Sequence, residues 1–114
     1  MVTPSVGAVV LLPFPFSDFS RSKLRPAVVL ADADRNDWVL CQVTSNPYGD
    51  ARAIPLSDKS FRLGTLRRAS YARPGKLFTS NRELMVRQAG VLKPEALKRI
   101  IEAVVDLLRS GLKT

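Results

Sequence analysis

Two short polar segments carry the side chains best suited to act on a phosphate. Arg25 stands before Pro26 at the end of a basic loop, residues 17 to 23, and Thr44 closes an apolar run and is followed by Ser45-Asn46. Arginine stays charged at any accessible pH, and its planar fork matches two phosphate oxygens. Breaking an RNA phosphodiester by attack of its own 2′-hydroxyl needs three things: a group to take that proton, positive charge for the phosphorane oxygens, and a proton for the leaving oxygen. Histidine pairs often supply the acid and the base because their pKa lies near neutrality. This chain has no histidine at all, so such chemistry would rest on charge and positioning. Pro26 fixes its own φ and pushes Arg25 into an extended conformation. Taken alone, neither residue is specific. An arginine at a strand edge is more often simply exposed, and a threonine at a strand end more often reflects β-propensity and a turn bond.

The charge distribution points the same way. The chain of 114 residues holds 18 Lys and Arg against 10 Asp and Glu, a net charge of +8. Residues 62 to 87 carry Arg62, Arg67, Arg68, Arg73, Lys76, Arg82 and Arg87 against Glu83 alone, so +6 of that charge is concentrated there. A smaller cluster is Arg21, Lys23 and Arg25, with Asp32, Asp34 and Asp37 gathered after it. Concentrated positive charge on a small domain is the footprint of a phosphate-backbone or acidic-protein binder, although a solvated basic surface gives the same composition. One cysteine rules out a disulfide framework, and without histidine the usual zinc ligands are missing, so neither metal nor cofactor is expected.

The elements that must position these residues read as a single domain spanning residues 1–114. Ala8 to Leu12 is a β-branched and aliphatic run stopped by Pro13 and Pro15. Ala27 to Leu30 and Trp38 to Thr44 follow as strands, with an acidic turn between them and a compositional turn at residues 45 to 49. Shorter strands are expected at residues 53 to 56, 65 to 72 and 76 to 79, a spacing that suggests a small barrel. From Pro94, the positions Leu97, Ile100, Ile101, Val104, Val105 and Leu108 repeat with helical period, and Gly111 reads as the stop. The uncharged first 17 residues lack the basic start and unbroken apolar core of a signal peptide, and no run approaches the roughly 18 apolar residues of a membrane span. No membrane partner is expected, and the expected location is the cytoplasm.

Taken together, three segments resemble the MazF/PemK family of toxins from toxin–antitoxin modules: residues 7 to 18, Lys23-Leu24-Arg25-Pro26-Ala27-Val28-Val29-Leu30, and Leu40-Cys41-Gln42-Val43-Thr44-Ser45. The resemblance continues through Gly64-Thr65-Leu66, residues 70 to 79 and Gly90-Val91-Leu92 to the C-terminal helix. It implies a mainly β fold, an SH3-like small β-barrel of the MazF/CcdB/PemK kind with a C-terminal amphipathic helix, usually as a homodimer. It also implies a metal-independent endoribonuclease that cuts single-stranded RNA at short motifs, leaves 2′,3′-cyclic phosphate and 5′-hydroxyl ends, and is inhibited by a cognate antitoxin with an acidic tail.

Carried over residue by residue, the family's catalytic arginine and threonine fall on Arg25 and Thr44. Where some members place a glutamate before the arginine this chain has Ser20, leaving Asp18 as the loop carboxylate. Where one branch has an arginine followed two residues later by aspartate, this chain has Arg68-Ala69-Ser70. Arg68, Ser70, Arg73 and Lys76 are therefore assigned to RNA binding, together with Arg21, Ser22, Lys23, Ser45 and Asn46, with Phe19 or Tyr48 as rings on which bases could rest. Two other readings stay open. A CcdB-like gyrase poison shares the barrel but needs a C-terminal Trp-Gly-Ile, whereas this chain ends Gly111-Leu112-Lys113-Thr114 and places its one Trp38 mid-chain. The other is a non-catalytic nucleic-acid-binding barrel.

Overall fold

The computed structural model describes residues 2–13 and 23–113. Seven strands are present: β1 (Ala8–Pro13), β2 (Leu24–Asp32), β3 (Asp37–Thr44), β4 (Ile54–Leu56), β5 (Phe61–Gly64), β6 (Ser70–Asn81) and β7 (Arg87–Leu92), followed by the helix α1 (Pro94–Ser110). They form one sheet in the order β4-β6-β3-β2-β1-β7-β5, antiparallel throughout. The sheet curls into a half-barrel whose two ends are the short strands β4 and β5. Short edge strands limit the exposed hydrogen-bonding groups at which sheets aggregate.

Strand alternation gives the sheet two apolar faces. One carries Val9, Val28, Cys41, Val43, Phe61 and Leu92, and packs against Ala96, Ile100 and Val104 of α1. The other gathers Ala8, Val10, Leu12, Ala27, Val29 and Leu40 around Met85. Lys93 ends the last strand in an extended conformation, and Pro94 at the first helical turn costs no hydrogen bond because that N–H has no intrahelical partner.

Three expectations from the sequence need correction. The segment from Thr65 to Ala69 is not a strand: β6 begins at Ser70 and runs unbroken to Asn81, through Arg73-Pro74-Gly75. It can do so because the register against β3 jumps from Val43↔Ala72 to Cys41↔Leu77, so that residues 73 to 76 bulge opposite Gln42. Pro74 needs no ladder N–H in such a bulge. Cys41 donates its thiol to the Arg73 carbonyl there at 3.1 Å, and burial pushes its pKa up to about 12, so it is a core residue rather than a nucleophile.

The second correction is that β5 and β7 exist. The exposure of β7 falls steadily from Arg87 to Leu92 instead of alternating, because its first half borders a cleft and its second half lies in the core that α1 covers. The third concerns α1, whose buried residues are Ala96, Ile100 and Val104, while Val105 and Leu108 are exposed. Gly111 does not turn the chain left-handed: its φ is −65° and a 3-10 turn continues to Lys113.

Candidate functional site

A cleft of about 450 Å³ opens at the end of the half-barrel where β2 begins and β3 ends. The pairing Ala27↔Gln42, extended two residues along both strands, sets Arg25 opposite Thr44. Arg25 also pairs with Leu12 of β1. The next rung across the sheet is apolar: Arg87 pairs with Leu11, Leu11 with Pro26, and Pro26 lies beside Val43. Because the cleft opens past the strand ends, it reaches both rungs. The sequence features that fold this end of the sheet are the extended Arg25-Pro26 step and the polar turn after Thr44.

The turn also prepares Thr44. Its Oγ1 accepts the Asn46 backbone N–H at 3.2 Å, which leaves the hydroxyl proton available to a ligand oxygen. Asn46 spends its side-chain oxygen on the Tyr48 N–H at 2.9 Å and does not line the cleft, whereas Ser45 does. Arg25 is half-buried, and its Nε has no hydrogen-bond partner among the described residues. A buried donor left unpaired is costly unless a ligand or water completes it.

The opposite wall comes from the segment between β5 and β6, with Thr65, Leu66, Arg67 and Arg68, and from the start of β7, with Arg87 and Gln88. Two glycines bring these walls together. Gly64 has φ +66°, and a Cβ on it would collide with the Ala89 carbonyl; a Cβ on Gly90 would meet the Leu63 carbonyl oxygen at 2.5 Å. Only paired glycines let β5 leave β7 this closely. Thr65 is tied back by a hydrogen bond from its hydroxyl to Asp58, and the Ser70 hydroxyl donates to the Arg68 carbonyl at 2.9 Å.

The cleft thus unites Arg25, Thr44, Ser45, Arg68 and Ser70 of the residues expected from sequence, and adds Thr65, Arg67, Arg87 and Gln88. Four arginines line it and no carboxylate does among the described residues. Such a surface attracts anions, since no described residue lining it carries an opposite charge. Arg73 and Lys76 lie elsewhere, on the β6 bulge. The Arg73 Nε donates to Asp50 at 3.0 Å and its guanidinium sits 5.5 Å from the Tyr48 ring centroid, clasping the loop that follows Thr44. The backbone N–H of Arg52 and the Arg73 guanidinium hold the Asp50 carboxyl below its ordinary pKa. Lys23 is exposed at the start of β2. Asp18, Phe19, Ser20, Arg21 and Ser22 lie outside the described residues.

No protein-family model matches the chain, and no curated protein matches it by sequence. Solved structures do match by shape. MazF from Deinococcus radiodurans superposes with a TM-score of 0.73 at 21% identity over 95% of this chain and 98% of that one. The fold is that of the MazF toxins. The MazE-MazF complex from the same organism gives a TM-score of 0.71 at 20% identity, over 95% and 97% of the two chains. An endoribonuclease in complex with its cognate antitoxin, from a mycobacterial species, gives 0.69 at 15% identity over 95% of both chains. The MazF-like fold therefore covers nearly all of this sequence, and the cleft belongs to that fold and not to an appended segment.

Among the described residues no helix is long and apolar enough to cross a membrane.

Proposed function

We propose that the chain is a MazF-like endoribonuclease toxin, which cleaves single-stranded RNA at short motifs in the cleft between Arg25, Thr44 and the arginines of the facing wall. One observation carries the reading: the MazF fold here has an arginine-lined cleft, free of carboxylates among the described residues, that both Arg25 and Thr44 line.

Arg25 neutralises the charge that develops on the phosphorane oxygens, and its fixed positive charge favours the transition state over the singly charged ground state. Thr44 donates its hydroxyl to a phosphate oxygen and orients the phosphate for in-line attack by the 2′-hydroxyl. Asp18, in the loop before β2, is the carboxylate assigned to take the 2′-hydroxyl proton. The attack closes a 2′,3′-cyclic phosphate and expels the 5′-oxygen, which takes a proton from solvent water and leaves as a hydroxyl. The nucleophile is the RNA's own and the stabilising charge comes from arginine, so the proposed cleavage is metal-independent.

The proposed partners follow from the same charge. A cognate antitoxin with an acidic tail competes with RNA for the arginines, and the protein works as a homodimer in the cytoplasm. The test is incubation of purified protein with an end-labelled single-stranded RNA in the presence of EDTA. Fragments ending in a cyclic phosphate support the reading, whereas tight binding without cleavage would identify a non-catalytic RNA-binding barrel instead.

A further inference from the structure

The cleft extends beyond Arg25 and Thr44 to the start of β7. Its apolar floor is one rung of the sheet, Leu11, Pro26 and Val43, and that rung ends on β7 at Arg87. Strands β7 and β2 are two inter-strand steps apart, about 10 Å. Arg87 is exposed at the cleft rim and makes no ion pair or side-chain hydrogen bond among the described residues. Arg73 shows the contrast, since its guanidinium is already neutralised by Asp50. A guanidinium with no partner among the described residues, at the end of an apolar floor, suits an anion joined to an apolar-faced group, which is the make-up of a nucleotide.

We propose that Arg87 forms a second phosphate subsite, which holds the phosphate adjacent to the scissile one while the intervening nucleoside rests on the half-buried Leu11 and Pro26. The proposal rests on RNA being the ligand of this cleft, and it assigns Arg87 to binding and not to the bond-breaking step. The subsite fixes the direction of the strand across the sheet, from the Arg25–Thr44 end towards β7. A guanidinium-to-phosphate contact is a charge-assisted hydrogen bond, so its loss should weaken binding by about tenfold. It should also lower the steepness of the salt dependence by about 0.7 in the log–log slope for one phosphate on a single strand.

The experiment uses single-stranded RNA made non-cleavable by 2′-deoxy substitution and scanned with single neutral methylphosphonates, with affinity read by fluorescence anisotropy against wild-type protein and Arg87→Gln. The expected result is that one methylphosphonate position weakens wild-type binding about tenfold and has no further effect on Arg87→Gln. Equal sensitivity of the variant at every phosphate, or unchanged affinity and salt slope, would overturn the subsite. Circular dichroism of Arg87→Gln confirms that the comparison is between folded proteins. The two proposals fail separately: loss of the position-specific coupling in a protein that still cleaves RNA removes only the subsite, whereas coupling without cleavage of unmodified RNA removes only the nuclease reading.

Discussion

At the residue scale, the contrast between Arg25 and Arg73 is the most informative. Both precede a proline and both belong to the basic composition, yet Arg25 lines the cleft with a buried Nε that has no partner among the described residues, while Arg73 is clasped to Asp50 and Tyr48. The Arg-Pro step and the strand-ending threonine are local features that singled out Arg25 and Thr44 once the resemblance to MazF/PemK toxins was added, and both line the cleft. Sequence spacing could not separate Arg73 from the cleft-lining arginines, since its partner Asp50 is reached only through the β6 bulge. Arg73→Ala should lower stability by about 1 kcal/mol or less, as a partly exposed ion pair does, and should leave the salt slope of RNA binding at its wild-type value. Thermal melts and anisotropy titrations measure the two. The pH dependence has a definite sign. The carboxyl of Asp50 is held below its ordinary value of 3.8 in the folded state, so its stabilisation is complete above that value and is lost as pH falls through the depressed folded pKa. The stability gap between wild type and Asp50→Asn should therefore stay constant near neutrality and shrink below about pH 4.

At the element scale, the cleft is made by strands that the sequence hides. The early strands announce themselves by β-branched runs, and their register alone sets Arg25 against Thr44. Strands β5 and β7 have no such pattern: β5 is a four-residue edge strand with only Phe61 buried, and β7 borders the cleft with its first half and enters the core with its second. For that reason Thr65, Arg67, Arg87 and Gln88 were not visible as site residues, although Arg67 and Arg87 counted among the basic residues of the run from 62 to 87. The glycine pair Gly64 and Gly90 was the available signal, since only a close backbone approach requires it. Gly64→Ala combines a left-handed φ with a backbone collision, and should cost more than the roughly 1 kcal/mol of a simple glycine-to-alanine change. It should also weaken RNA binding through displacement of the 65 to 68 segment, which a melt paired with an anisotropy titration would show. The helix offers a second test. Ile100 is fully buried and Leu108 is 64% exposed, so Ile100→Ala should destabilise by about 2–5 kcal/mol while Leu108→Ala stays within about 0.5 kcal/mol. Periodicity alone assigned both to the same face. The face that packs is rotated towards Ala96, Ile100 and Val104, where small Ala96 allows close contact with the sheet.

At the scale of the whole molecule, a chain without histidine sets four of its arginines around one cleft of a MazF-like half-barrel. Fold class and terminal helix were readable from strand spacing and helical period, whereas curvature and the site's far wall depend on pairings between distant segments. An acidic antitoxin tail and RNA would then compete for one set of arginines, and both complexes should weaken steeply with salt; parallel titrations that stayed flat would contradict a charge-driven mode. The central claim is that Arg25 stabilises the transition state of RNA cleavage. Its most direct test is cleavage of a mixed-sequence single-stranded RNA by wild type and by Arg25→Ala, with fragment ends identified by mass spectrometry. The expected result is 2′,3′-cyclic phosphate ends from wild type and a rate lower by at least about 10² to 10³ from a folded Arg25→Ala. Cleavage by Arg25→Ala at the wild-type rate, or intact RNA after incubation with wild type, would contradict the account.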